Sequence, residues 1–126
     1  MTSPFLARSV AEHVAGNALA FAIRDGFPVS PGHTLVVTRR PVATFFEATA
    51  EEQAAVMALV HEVKQRLDDS HRPDGYNVGF NAGEAAGQTV AHLHIHVIPR
   101  YHGDRPDPRG GIRWVLADKA DYWTQP

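Results

Sequence analysis

The sequence feature that most constrains the fold is a strict alternation of histidine with aliphatic residues at positions 92–98, His-Leu-His-Ile-His-Val-Ile. This two-residue period is typical of a β-strand, whose successive side chains point to opposite faces of a sheet. We therefore predict a strand that directs His92, His94 and His96 to one face and its aliphatic residues into a core. A solvated strand face would explain the pattern without any function, but threonine, lysine or glutamate would serve that face equally well. Three successive histidines favour a functional site.

Composition narrows the class of protein. The chain has 126 residues, no cysteine, 8 histidines and a formal net charge of -2. This length suits one domain over residues 1–126, with its core at about 18–104 and an irregular C-terminal segment at 105–126. Without cysteine the chain forms neither a disulfide nor a thiol nucleophile, which fits a cytoplasmic location. We expect no signal peptide and no membrane span, and no nucleic-acid polymer or membrane surface as a partner, because basic runs are absent.

Hydrophobic periodicity outlines the other elements. Thr49 and Glu52 have the spacing of a capping box, and apolar residues behind them recur every three or four positions, so we predict an amphipathic helix to about residue 69. Apolar and β-branched runs predict strands at residues 18–25, 34–38, 76–81 and 90–98, with a further short strand at 112–116. One dominant helix and short connections indicate an α+β fold with a mainly antiparallel sheet of about five strands.

Two kinds of chemistry suit a row of histidines. Zinc requires ligand nitrogens within about 3.5 Å of one another, whereas the Cα atoms of His92 and His96 lie ~13 Å apart on a straight strand. Three ligands from one strand fit zinc poorly, although a zinc-dependent hydrolase that uses His92 or His94 together with His33 stays an alternative. The other kind is covalent phosphoryl or nucleotidyl transfer, since neutral imidazole is a nucleophile and protonated imidazole donates to phosphate oxygens. That chemistry requires no cofactor, so neither zinc nor magnesium is expected to be catalytic.

These residues resemble the histidine triad family. Residues 92–98 match its three histidines alternating with hydrophobic residues, and residues 81–90 resemble its glycine-rich lead-in. Residues 31–37, Pro-Gly-His-Thr-Leu-Val-Val, resemble its second hallmark segment, and Asp25 lies where the family places a ribose-binding side chain. The resemblance covers about residues 18–104. The sequence after the third histidine, Val-Ile-Pro-Arg-Tyr, looks closer to the dinucleoside polyphosphate hydrolase branch than to the nucleoside phosphoramidate hydrolase branch.

The resemblance implies a nucleotide hydrolase or nucleotidyl transferase that attacks the α-phosphorus of a dinucleoside polyphosphate or nucleotide conjugate. His94 would be the nucleophile and form a nucleotidyl-histidine intermediate, from which water or inorganic phosphate would release a nucleoside monophosphate. His92 would orient His94 or tune its basicity, with His33 in the same network. His96 would hydrogen-bond the phosphate or the leaving-group oxygen. A nucleotide-binding domain without turnover is the alternative from a different class, and relatives suggest a homodimer.

The resemblance also implies substrate contacts around this centre. Asp25 would bind ribose, because a carboxylate accepts from both hydroxyls of a vicinal diol, although Asp-Gly is also a turn signal. Backbone N–H groups at residues 87–89 would cradle phosphate oxygens, unless the loop is an ordinary turn. The predicted substrate-binding residues are Asp25, Asn81, Gln88, Thr89, Ile23 and Leu35, the last two lining a base pocket together with Phe21.

The family pattern ends at Asp104. Beyond it, Arg109 and Arg113 could meet the charge of a second phosphate or nucleoside, and Trp114 or Trp123 could stack on a base. A surface tail or a dimer contact explains these residues more simply. Four further histidines match no motif and are expected on the surface, namely His13, His61, His71 and His102.

Overall fold

A five-stranded sheet forms the centre of the molecule in the computed structural model, which describes residues 3–126. The strands are β1 (His13–Gly16), β2 (Ala20–Arg24), β3 (Thr34–Thr38), β4 (Gly75–Gly79) and β5 (His94–Arg100). They are ordered β1-β2-β3-β5-β4, and every neighbouring pair is antiparallel. The predicted α+β class with a mainly antiparallel sheet is confirmed.

One long helix, α1 (Ala50–Ser70), covers one face of the sheet, and a short helix, α2 (Ala117–Ala120), lies near the C-terminus. The predicted capping box is present, because the Thr49 hydroxyl accepts from the Glu52 N–H at 3.1 Å and the Glu52 carboxylate accepts from the Thr49 N–H at 2.9 Å. Glu52 also pairs with Arg40 at 2.7 Å. The Arg40 hydrogen bond, aided by the Thr49 N–H, lowers the pKa of Glu52 to about 2. This charge favours the helix N-terminus.

The two faces of the sheet have different coverings. On one face, aliphatic residues of α1 such as Val56, Leu59 and Val63 pack against Val36 and Ile95 of the sheet. On the other face, a smaller cluster contains Phe21, Ile23, Leu35 and Val37, against which Phe5 packs. Since Val37 pairs with His94 and Leu35 with His96, the two histidines of β5 lie on the face opposite α1.

One observed strand is absent from the sequence prediction, and one predicted strand does not form. Strand β1 was not predicted, because His13–Gly16 has no alternating pattern and a register shift interrupts its pairing with β2. Residues 112–116 form part of a 3₁₀ helix, Gly111–Leu116, instead of a strand. Gly110 and Gly111 have φ values of 93° and 47°, and the Arg113 N–H donates to the Gly110 carbonyl at 2.9 Å. This local turn curls the chain away from a sheet.

The histidine strand also begins later than predicted. β5 starts at His94, and the residues before it form bends. The Leu93 N–H donates to the Val42 carbonyl at 2.7 Å, so this residue bonds to the connection after β3 instead of to β3 itself. His92 therefore precedes the regular strand. Within residues 3–126, no helix has the length and apolar character needed to cross a membrane.

Candidate active site

His94 presents an unprotonated ring nitrogen. Its Nδ1 lies 2.7 Å from the backbone carbonyl of His92, and a carbonyl oxygen only accepts hydrogen bonds, so Nδ1 carries the proton. In the neutral ring the Nε2 atom then retains its lone pair, and it has no hydrogen-bond partner among the described residues. Half-buried at the start of β5, His94 is held by the strand and by this hydrogen bond. The arrangement suits an attacking nitrogen.

His96 presents the opposite group, an N–H donor. The Val29 N–H donates to His33 Nδ1 at 3.1 Å, so the proton of a neutral His33 lies on Nε2. That Nε2–H donates to His96 Nδ1 at 2.9 Å, which leaves the His96 proton on Nε2. The centroids of the His94 and His96 rings are 5.2 Å apart. One ring therefore offers a lone pair beside another that offers a proton.

Burial favours the neutral form of His96 and of His33. Burial is the main cause that lowers the pKa of His96 to about 4, and the neighbouring His94 and His33 lower it further. Burial also lowers the pKa of His33, although the Asp25 carboxylate, 3.4 Å from His33 Nε2, opposes this. In the neutral forms of His33 and His96, the hydrogen bonds fix which nitrogen of each ring carries the proton.

His92 acts on His94 through its backbone. Its side chain is buried, its Nε2–H donates to the Thr38 carbonyl at 2.7 Å, and its Nδ1 accepts from the Ser3 hydroxyl at 2.6 Å. Burial lowers its pKa. Both ring nitrogens are thus occupied, while the carbonyl of His92 orients His94. The structure joins His33 to the row of histidines through His96 and not through His92.

Asp25, His33 and His96 form a group that could hold a metal ion. One donor atom from each lies within 4.8 Å of the others. This group differs from the zinc site considered from the sequence, which combined His33 with His92 or His94. The hydrogen bond between the two rings accounts for their closeness without an ion. A divalent cation would have to displace the proton on His33 Nε2. Independence of metal stays a prediction.

Asp25 forms the predicted turn and also lies where the predicted ribose contact could occur. Its Oδ1 accepts from the Phe27 N–H at 2.7 Å, which forms the turn after β2, while its Oδ2 faces His33. A cavity of about 480 Å³ opens beside Asp25 and His33, under residues 28–32. The ribose contact stays a prediction, and Asp25 is placed where it could occur.

Hydrogen bonds of its own side chains and backbone hold the glycine-rich loop, which bears on the predicted phosphate cradle. The Gln88 side chain donates to the Ala43 and Val90 carbonyls and accepts from the Gly83 N–H. The backbone N–H groups of Gly87 and Gln88 donate to carbonyls within the loop, so these two N–H groups are not free to bind phosphate as predicted, while a contact from the Thr89 N–H stays a prediction. Asn81 and Thr89 are exposed, and their phosphate contacts stay predictions.

The predicted base pocket is covered. Ile23 and Leu35 are buried with Phe21 beneath Phe5, whose ring centroid lies 4.8 Å from that of His94. Contact between a base and Ile23 or Leu35 stays a prediction that requires this cover to open. Phe5 and Ser3 were not predicted at the site from the sequence, because no local pattern links them to the distant histidines. Ser3, for example, lies 89 positions before His92.

The four remaining histidines differ in exposure, two being exposed and two half-buried. His61 and His102 are exposed, as predicted. His13 is half-buried and stacks on Phe21 with ring centroids 4.3 Å apart. His71 is half-buried beside Gly32. The surface prediction is wrong for His13 and His71, because the sheet and the β2–β3 connection cover them.

Comparison with known proteins identifies the family. The HIT domain model matches residues 9–103. The chain belongs to the histidine triad family. It is 40% identical over 92 residues to an AP-4-A phosphorylase of Mycobacterium tuberculosis, a match that covers 72% of this chain and 47% of that protein. A bifunctional bis(5'-adenosyl)-triphosphatase/adenylylsulfatase of Arabidopsis thaliana is 36% identical over 86 residues, covering 68% of this chain and 48% of its own length. The HIT protein thus spans about half the length of these two relatives.

The fold of this HIT protein agrees with solved structures. A hypothetical histidine triad nucleotide-binding protein from Sulfolobus tokodaii superposes with a TM-score of 0.70 at 36% identity, covering 76% of this chain and 64% of that one. The chain therefore shares its fold with this histidine triad protein of known structure.

The C-terminal segment of the HIT protein lies outside the family match and is largely occupied with its own folding. Arg109 pairs with Asp107 at 2.9 Å and stacks on Trp123, with the guanidinium 4.5 Å from the ring centroid. The Arg113 guanidinium donates to the carbonyls of residues 119 and 120. Among the aromatic and arginine residues that the sequence singled out here, Trp114 alone lines a cleft.

Proposed function

We propose that this HIT protein is a nucleotide hydrolase or nucleotidyl transferase that attacks the α-phosphorus of a dinucleoside polyphosphate or nucleotide conjugate. The observation that carries the proposal is the fixed pair of tautomers, the Nε2 lone pair of His94 beside the Nε2–H of His96. The names of the two relatives, a phosphorylase and a triphosphatase of diadenosine compounds, support this substrate class.

The first chemical step forms a covalent intermediate. His94 Nε2 attacks the α-phosphorus, a P–N bond forms, and the bond from phosphorus to the bridging oxygen breaks. The leaving nucleotide departs with the electron pair of that bond, and the His96 N–H donates a hydrogen bond to its oxygen. The His94 ring becomes cationic, because Nδ1 keeps its proton, and the His92 carbonyl stabilises this charge.

The second step regenerates the enzyme. Water attacks the nucleotidyl-histidine, the P–N bond breaks, and its electron pair returns to Nε2 while the proton of the water leaves to solvent. The product is a nucleoside monophosphate, whereas inorganic phosphate as the acceptor would give a nucleoside diphosphate. Two displacements of this kind require positioning and charge stabilisation more than acid–base chemistry.

The His94→Asn variant tests this mechanism. We expect turnover of diadenosine tetraphosphate to fall by about 10³-fold or more, while binding of the same compound, measured by calorimetry, persists. The matched control is His61→Asn at an exposed histidine, which should retain wild-type turnover. Rapid denaturation of the wild-type enzyme during turnover should trap one nucleoside monophosphate unit on the chain, detectable by mass spectrometry.

Other outcomes separate the alternatives. Full activity of His94→Asn would exclude the covalent mechanism. A wild-type protein that binds nucleotides but turns over none of a panel of diadenosine compounds, phosphoramidates and nucleotide sugars would be a binding module. Assays of the panel with and without phosphate distinguish water from phosphate as the acceptor.

A zinc-dependent hydrolase is the second candidate, and the grouping of Asp25, His33 and His96 is the observation that favours it. We propose that no metal is required, since the hydrogen bond from His33 to His96 already fixes the donor nitrogen. Dialysis against a chelator should leave turnover unchanged. Loss of activity on dialysis, with recovery on addition of zinc alone, would favour the zinc enzyme.

A further inference from the structure

A second cleft opens on the sheet face that carries His94 and His96. Its volume is about 610 Å³, within the usual range for small-molecule sites, and Ile98, Asn77, Arg105 and Trp114 contribute to its lining. Ile98 follows His96 by two residues on β5, so it lies ~6–7 Å further along the same face. The cleft therefore continues the row of histidines toward the C-terminal end of the strand.

The far wall of this cleft is the C-terminal segment, which is fixed to the sheet. Gly111 packs so closely on β4 that an added Cβ would lie 3.2 Å from Asn77 Nδ2. Asn77 Oδ1 in turn accepts from Arg100 at 2.7 Å, and Arg100 makes two contacts with the Asp104 carboxylate at 2.7 and 2.8 Å. These contacts anchor a wall that lies outside residues 9–103, the part matched by the family model.

Arg105 and Trp114 give this wall a cation and an aromatic surface. The Arg105 guanidinium lies 5.6 Å from the centroid of the Trp114 ring. It forms no ion pair with any residue in 3–126, whereas Arg100 and Arg109 are paired with Asp104 and Asp107. The Trp114 Nε1–H donates to the Arg109 carbonyl at 2.8 Å, which fixes the indole. A guanidinium binds phosphate oxygens and an indole packs against a base, so this pair suits a ligand in which a phosphate is followed by a nucleoside.

We propose that this cleft is the subsite for the leaving half of the substrate, where Arg105 binds the distal phosphates and Trp114 packs against the second nucleoside. The inference rests on the proposed function, because an in-line displacement at phosphorus places the leaving group opposite the attacking His94. His96 then lies at the bridging oxygen, and the cleft lies beyond His96. The subsite specifies a substrate with a second nucleotide, as opposed to a nucleotide with a small leaving group.

The test compares two substrates that share the first nucleotide and differ in the leaving half. Diadenosine tetraphosphate fills the proposed subsite, whereas adenosine 5'-phosphoramidate releases ammonia and does not reach it. For Arg105→Gln, we expect the ratio of kcat/KM for the first substrate over the second to fall about tenfold. Trp114→Leu should lower the same ratio, while Trp114→Phe retains most of it. The matched control is Arg109→Gln in the same segment, whose ratio should stay at the wild-type value.

A binding measurement tests the subsite independently of the test of the proposed function. In a His94→Asn background, Arg105→Gln should weaken binding of diadenosine tetraphosphate relative to AMP by a similar factor, as measured by calorimetry. An unchanged binding ratio, or an equal loss for both ligands, would overturn the subsite even if the wild-type enzyme is active. A wild-type protein that turns over neither substrate would overturn the proposed function, while the binding ratio would still decide the subsite.

Discussion

The burial of the histidines in the site controls their protonation. His33 and His92 are buried, His96 is half-buried, and the pKa of each is lowered chiefly by burial. A buried neutral histidine is stable only when both of its nitrogens have suitable partners. The main-chain N–H of Val29 and the carbonyl of Thr38 provide such partners. Backbone groups thus fix the tautomers of His33 and His92, and the His33 side chain in turn fixes that of His96.

This burial predicts a loss of stability in mild acid. In the unfolded chain a histidine takes up its proton near pH 6.5, whereas folded His96 does so only near pH 4. Between these values the unfolded state binds more protons, so the free energy of unfolding falls as the pH falls from about 6.5 toward 4 and is insensitive to these groups above that window. Denaturant unfolding at pH 7, 6 and 5 measures this slope.

The variant His96→Asn should reduce that slope by about the contribution of one proton. The matched control is His102→Asn, because His102 has a side chain that is 92% exposed and should contribute nothing to the slope. Stability that is flat between pH 7 and 5 in the wild-type protein would show that these rings are protonated in the folded state, contrary to the proposed tautomers.

At the scale of elements, the connection between β2 and β3 positions two site residues, Asp25 and His33, at its ends. Gly32 lies within it at φ 89°, and an added Cβ would be 2.9 Å from Leu67 Cδ2 of α1 and 3.1 Å from the His71 ring. Both the left-handed backbone and the contact with the helix therefore require glycine. The connection is held against α1 immediately before His33.

Gly32→Ala should lower the free energy of unfolding by about 2 kcal/mol, from backbone strain and crowding against Leu67. It should also lower kcat, because any shift of Gly32 displaces His33 from His96. The matched control is Gly26→Ala in the same connection, where no atom lies within 4 Å of the added Cβ and both stability and activity should stay close to wild type. Equal stability of the two variants, measured by denaturant unfolding, would contradict this account.

Elements with local signals were predictable from sequence, whereas contacts between distant segments were not. The capping box at Thr49 and the alternation at 92–98 depend on neighbouring residues, so α1 and most of β5 follow from the sequence. The partner of His96 depends on the pairing of β3 with β5, which joins His33 to a residue 63 positions away. Likewise Arg105 is an ordinary arginine in sequence, and the cleft that it lines exists only because the C-terminal segment packs against the sheet.

At the scale of the whole molecule, the sheet formed by residues 3–126 has two unpaired edges, β1 and β4. The β4 edge carries apolar surface on the side of α1, where Val78 is 40% and Phe46 73% exposed. Phe46 contacts Phe80, which follows Val78 by two residues, with ring centroids 5.8 Å apart. An exposed strand edge beside exposed apolar side chains favours pairing with a second chain. We therefore expect that the homodimer predicted from the sequence, if the chain pairs at all, forms through β4.

Val78→Lys tests this proposal, because a lysine at this position would place like charges close together across a symmetric β4–β4 contact. Light scattering after size exclusion should give the wild-type protein twice the chain mass of 13.8 kDa, and the variant the mass of one chain. The matched control, Val10→Lys, changes a valine that is 79% exposed away from β4 and should leave the dimer intact. A wild-type protein at the mass of one chain would exclude the dimer, and a dimer that survives Val78→Lys would place the interface elsewhere.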